Sequence, residues 1–191
     1  MLKIPNDALN RLSVEQFRAA PKNGIVLVLD NIRSMHNVGS AFRTADAFAI
    51  EKIVLCGITA TPPHREINKA ALGATESVAW EHVPDTCEAV RTLRKNGYRV
   101  FAVEQVEGAV ILGSTAFRTA VLDAVDVGSA VDVAGAMHPL ALIFGNELDG
   151  VAQEVIDLCD GAIEIPQWGT KHSLNISVSI GVTLWELVRT P

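Results

Sequence analysis

The apolar positions of this chain follow two rhythms. Unbroken runs rich in Val, Ile and Leu occupy residues 25–30 (IVLVLD), 52–58 (KIVLCGI), 98–104 (YRVFAVE), 140–147 (LALIFGNE) and 161–166 (GAIEIP). Continuous rather than alternating runs are expected of strands covered on both faces in a parallel sheet. SVAWEHV (77–83) reads as a further strand, and GAIEIP as the one that closes the sheet. Between the runs, apolar residues recur at helical spacing, which predicts helices over 38–48, 65–74, 84–97, 151–160 and 173–189. Pro84 and Gly97 bracket the third of these in the order that helix ends favour. Leu9, Leu12, Val14 and Phe17 predict a short amphipathic helix at 7–20 with Asn6 or Asp7 as its cap.

Strands alternating with helices predict an α/β fold, a parallel sheet sandwiched between helical layers. Residues 105–139 are rich in Val, Ala and Gly and fit neither rhythm cleanly. They read as an excursion, with one strand at 119–125. No repeat or linker divides the chain, so residues 1–191 are expected to form one domain with a helical extension at 1–22.

Composition narrows the class. A chain of 191 residues, 49% hydrophobic, can bury a substantial core. No run approaches the roughly eighteen apolar residues of a membrane span, and MLKIPNDALN lacks the layout of a signal peptide. Cys56, Cys87 and Cys159 lie far apart without metal spacing, which fits free thiols in a reducing cytoplasm. The five histidines also lack ligand spacing, so no metal is expected. The net charge of −6 argues against a protein that coats nucleic acid non-specifically, but permits a local basic patch. Lys3, Arg11, Arg18, Lys22, Arg33 and Arg43 concentrate the early bases.

Three polar clusters follow strands, where open α/β sheets bind ligands. They are DNIRSMHNVGSAFRT (30–44), GNELDG (145–150) and IPQWGTKHSLN (165–175). The glycine fingerprints of dinucleotide folds and phosphate loops are absent, as are HExxH and GxSxG.

Together the clusters resemble the three motifs of the SpoU-type (TrmH) RNA 2′-O-ribose methyltransferases of the SPOUT superfamily. The first is carried by Asn37, Gly39, Arg43 and Thr44, and the second by Gly145, Asn146, Glu147 and Gly150. The third is carried by Pro166, Gly169, Ser173, Leu174 and Asn175. The resemblance spans about residues 24 to 189, with little from 105–139. It implies a C-terminal trefoil knot and a bent S-adenosylmethionine held by loop backbone. It also implies a tRNA or rRNA substrate and a homodimer with the active site near the subunit interface. By position, Gly145, Asn146, Ile165, Gly169 and Leu174 would hold the cofactor. Asn37, Arg43, Glu147, Ser173 and Asn175 would serve catalysis. Methylation of an RNA base, or RNA binding without catalysis, are the alternatives such a resemblance leaves.

The implied reaction asks for a cation. A ribose 2′-hydroxyl is a very weak acid, and its growing negative charge needs stabilising. Arg43 stays protonated, so its contribution is a field rather than a proton transfer. Each residue also has a plainer reading. Arg43 can pair with Asp46, Asn37 can cap the helix at 38–48, and Ser173 can cap the last helix. Glu147 can be a solvated turn carboxylate, while Ile165 and Leu174 can be core. Trp168, Lys171 and His172 stand outside the motifs and offer stacking and phosphate pairing to RNA.

Overall fold

The computed structural model describes residues 1–122 and 139–189. Among the described residues seven strands form one sheet: β1 (Ile25–Asp30), β2 (Lys52–Cys56), β3 (Ala79–Val83), β4 (Arg99–Val103), β5 (Val110–Ile111), β6 (Leu140–Phe144) and β7 (Gly161–Glu164). Their spatial order is β3-β2-β1-β6-β4-β7-β5, and every pairing is parallel. The helices are α1 (Val14–Ala19), α2 (Met35–Ala47), α3 (Arg65–Ala71), α4 (Ala74–Ser77), α5 (Thr86–Lys95), α6 (Thr115–Phe117), α7 (Gln153–Ile156) and α8 (Ile176–Val188).

The unbroken apolar runs have a simple cause. Side chains alternate between the two faces of a strand. Ile25, Leu27 and Leu29 of β1 enter one core with α2, α3 and α8, while Val26 and Val28 enter another with α5 and α7. Both faces are therefore apolar, and the sheet sits between two helical layers. β1 neighbours β2 on one side and β6 on the other. The chain runs outward through β2 and β3 in one direction, and places β6, β4, β7 and β5 in the other. The loops after β1 and β6 thus meet where the winding reverses, which in such sheets is where ligands bind.

Several boundaries differ from the expectations, each for a local reason. The helix expected at 7–20 is a 3-10 turn, Asn6–Leu9, followed by α1. Asn10 adopts the left-handed region at φ 48 and separates the two. The cap of α1 is Ser13, which forms a capping box with Gln16. α2 begins at Met35 because Ser34 accepts a hydrogen bond from the Asn37 amide. The helix expected over 151–160 shrinks to one turn, α7. Asp160 pairs through both its amide and its carboxylate with Val100, and its carboxylate also takes Arg94. The chain must leave the helix to make those bonds.

The excursion holds two corrections. β7 does not close the sheet, because β5 pairs along its outer edge. The strand expected at 119–125 is instead a π-helical turn at Arg118–Leu122, with residues 123–125 outside the described residues. Phe117 and Val121 are buried while Thr119 between them is exposed; a strand would put all three on one face, so the pattern is helical.

α8 carries one unsatisfied group. Thr183 is fully buried, and its hydroxyl has no hydrogen-bond partner among the described residues. Exchanging such a group for an apolar one of similar shape removes a desolvation cost. Thr183→Val should raise the unfolding free energy by about 1 kcal/mol in urea denaturation.

Candidate active site

Beyond β6 the chain makes a tight loop from Gly145 to Gly150. A Cβ on Gly145 would lie 2.0 Å from the Gly150 carbonyl carbon and 2.2 Å from the Val151 nitrogen, so only glycine fits. Asn146 pairs with Gly150 through both backbone groups, at 3.2 and 3.1 Å. Its side-chain oxygen accepts from the amides of Leu148 and Asp149, both at 3.0 Å. Gly150 is left-handed at φ 68. Glu104, just past β4, clamps the far side by accepting from the Val151 amide at 3.1 Å. The loop is thus held by hydrogen bonds at its centre and at its exit.

Glu147 leaves this loop and reaches the start of α2. Its carboxylate accepts from the Asn37 side-chain amide at 2.9 Å and from the backbone amides of Arg33 and Ser34, each at 3.3 Å. The N-terminal end of a helix favours a negative charge. Asn37, only 7% exposed, in turn accepts from the Asn175 side-chain amide at 3.3 Å. The Asn175 oxygen caps α8 by accepting from the Ser177 amide at 2.9 Å. One hydrogen-bonded line therefore joins the loop after β1, the loop after β6 and the start of α8. Burial is the largest influence on Glu147 and opposes its charge. The donors from Asn37, its own backbone, Arg33 and Ser34 together outweigh it and lower the pKa below the ordinary 4.5.

Beside this line lies a cavity of about 510 Å³. Gly145, Asn146, Glu147, Ile165, Ser173, Leu174 and Asn175 all line it. Leu174 is 39% exposed, so it is not core. Gly169, given to the cofactor by the resemblance, is not among the lining residues, and a Cβ there would touch nothing within 4 Å. Trp168, next to it, stands 91% exposed. The caps read from sequence also move: Ser34 caps α2 in place of Asn37, and Asn175 caps α8 in place of Ser173.

Arg43 faces a second cavity of about 330 Å³, shared with His36, Ser40, Thr44, Lys69, Ala70, Leu72 and Ser177. The two cavities flank the first turn of α8, with Ile176 and Ser179 lining the larger and Ser177 the smaller. The ion pair considered for Arg43 does not form, and Asp46 instead accepts from the Ser77 hydroxyl.

Glu104 and Gln105 are additions to the residues read from sequence. Both line the larger cavity, and Gln105 donates to the His172 carbonyl at 2.7 Å. Their signal lies in FAVEQ, an acid and an amide directly after an apolar run. Among the described residues no group of His, Cys, Asp and Glu is placed to hold a metal, and no helix is long and apolar enough to cross a membrane.

Comparison with known proteins agrees with this geometry. The model of the SpoU rRNA Methylase family matches residues 24–185. The 23S rRNA (guanosine-2'-O-)-methyltransferase RlmB of Vibrio parahaemolyticus is 30% identical over 181 residues, covering 95% of this chain and 65% of that protein. The chain spans about two thirds of the length of the curated relatives it matches first. The AdoMet-bound rRNA methyltransferase of Sinorhizobium meliloti superposes with a TM-score of 0.71 at 27% identity, over 91% of this chain and 59% of that one. A structure described for the 2-OH methylation of C/U34 on tRNA superposes with a TM-score of 0.68 at 25% identity, over 86% of this chain and 94% of that one.

The lowered pKa of Glu147 gives a signed expectation. A carboxylate with a depressed folded pKa stabilises the fold above the unfolded value, and loses that contribution as pH falls through the folded one. Glu147→Gln should be less stable than the parent at pH 7, and the gap should close on acidification below the ordinary 4.5. Urea midpoints measured across pH check this, and a gap independent of pH would contradict it.

Proposed function

The chain belongs to the SpoU rRNA methylase family, and from that premise we propose that it transfers a methyl group from S-adenosylmethionine to a ribose 2′-hydroxyl of tRNA or rRNA. The observation that carries this reading is the Glu147–Asn37–Asn175 line, which ties three motif segments beside one cavity that Gly145 and Gly150 help to line. The cavity's volume falls in the range of about 300–1,000 Å³ typical of small-molecule sites. Gly145 and Gly150 line the cavity without side chains, which suits a cofactor read by main-chain groups. In this reading the backbones of Gly145, Asn146, Ile165 and Leu174 hold S-adenosylmethionine, and Gly169 is left out. When bound, that cofactor supplies a methyl group activated on a sulfonium.

The chain's own residues then divide the remaining work. Arg43, permanently cationic, stabilises the charge that grows on the attacking hydroxyl. It opens on the neighbouring cavity, so the target ribose lies over the first turn of α8, between the two. Glu147 and Asn37 hold the loop after β6 against α2, and with it the distance between cofactor and Arg43. Asn175 and Ser173, at the start of α8, orient the ribose. Alignment of this kind supplies much of the rate in a displacement. The relatives' names point to RNA of both classes, rRNA in the curated protein and tRNA in one solved structure.

The same reading includes the C-terminal trefoil knot, a single methyltransferase domain in the cytoplasm, and a homodimer. Support for the dimer lies on α8, where Val178, Val182, Trp185 and Val188 are exposed along one side. Contiguous exposed apolar surface of this kind marks an interface.

Incubation with methyl-labelled S-adenosylmethionine and bulk RNA, followed by digestion to nucleosides, tests the reaction. Label should appear in 2′-O-methylated nucleosides. Label in a modified base, or none, would contradict the proposal. Arg43→Ala should abolish transfer while calorimetry still detects the cofactor. In sedimentation the protein should run as a dimer, and Trp185→Asp should shift it toward the monomer.

A further inference from the structure

The second cavity has a composition unlike the rest of the surface. The chain is acidic overall, with a net charge of −6. Yet Arg43 and Lys69 share this cavity with His36, and no carboxylate lines it. Neither Arg43 nor Lys69 has an ion-pair or hydrogen-bond partner among the described residues. His36, Ser40 and Thr44 repeat every four residues on α2, which stacks them along one face of the helix beside Arg43. Lys69 comes from a different element, α3.

What brings Lys69 there is Gly39. A Cβ on Gly39 would lie 2.4 Å from the Ile67 carbonyl oxygen and 2.7 Å from the Ala70 Cβ. Glycine inside a helix is unfavourable relative to alanine, so its presence in α2 calls for a compensating contact. That contact is the backbone of α3, seated directly on α2. Ile67 lies two residues before Lys69 and Ala70 directly after it, so the same approach seats Lys69 at the cavity that Arg43 lines.

We infer that this cavity is a subsite for a backbone phosphate of the RNA substrate, with Lys69 as its second cation beside Arg43. A guanidinium offers a planar fork of donors, and an ammonium a compact charge on a flexible stem. With the hydroxyls of Ser40 and Thr44, they suit a phosphodiester, which carries one charge and several acceptor oxygens. Arg43 then meets both phosphate and ribose, and Lys69 meets phosphate alone. Lys69 is a binding residue rather than a catalytic one. The inference rests on RNA being the substrate.

Two measurements on the full chain separate the inference from that premise. The first is filter binding of total tRNA and rRNA, taken from cells lacking this protein, over a salt series. Each phosphate that is no longer neutralised reduces the slope of log K against log salt by about 0.7–0.9. Lys69→Ala should lower the slope by about one and weaken binding about tenfold at low salt, and Lys69→Arg should restore both. Arg65→Ala, on the same helix but outside the cavity, should change neither. The second is methyl transfer to the same RNA, where the Lys69→Ala loss should fall on KM for RNA rather than on kcat. Cofactor affinity by calorimetry should match that of the parent. A parent that methylates RNA while Lys69→Ala keeps the full salt slope and KM overturns the subsite alone. A parent that binds RNA with the Lys69-dependent slope but transfers no methyl overturns the proposed reaction and leaves the subsite standing. A parent that binds no RNA overturns both.

Discussion

The site depends on one carboxylate. Glu147 sits on a loop that follows β6, and its oxygens are received by two backbone amides and one side-chain amide at the start of α2. Those backbone donors would otherwise be orphans at a helix terminus. A charge held there is favoured by the helix and in turn fixes where the loop can lie. Asn37 passes the constraint on, donating to Glu147 with one end and accepting from Asn175 with the other. Three segments distant in sequence are thereby locked into one arrangement. The sheet makes this possible by placing β1 and β6 side by side at the point where its winding reverses.

Around that anchor the loop after β6 has little freedom. Gly145 must be glycine because Gly150 and Val151 return directly over it. Asn146 closes the turn from within, and Glu104 holds its exit from outside. The result is a cavity against this turn, next to a second cavity lined by two cations, Arg43 and Lys69. A division of labour follows from that neighbourhood. One cavity suits a small molecule read by backbone groups, and the other suits the phosphate chain of a large one. The first turn of α8 stands between them.

Much of this was legible in the residues. The unbroken runs at 25–30, 52–58 and 140–147 mark strands buried on both faces because each strand feeds two cores. The three polar clusters after strands carry the family resemblance, and eight of the ten named site residues, Asn37, Gly145, Asn146, Glu147, Ile165, Ser173, Leu174 and Asn175, come together as a linked line and a cavity lining. Other features could not be read locally. Ser34 outcompeted Asn37 as the cap of α2, which freed Asn37 to bridge Glu147 and Asn175. Both residues are good caps in sequence, and only the tertiary partners decide. The separation of Arg43 from the larger cavity depends on how α8 packs against α2, which no spacing encodes. Glu104 and Lys69 lie outside the motifs, and their roles arise from contacts across the fold. The excursion misled because Val-rich and Ala-rich stretches fit either period; Arg118–Leu122 is helical, with Thr119 exposed between the buried Phe117 and Val121.

The most direct test of the account is a double-mutant cycle between Asn37 and Glu147, read as S-adenosylmethionine affinity by calorimetry. If the carboxylate acts through Asn37 to set the cavity, Asn37→Ala and Glu147→Gln should each weaken affinity, and the double variant should be little worse than the weaker single. Losses that simply add would mean the two residues act independently, and the line from the β6 loop through α2 to α8 would not be what shapes the site.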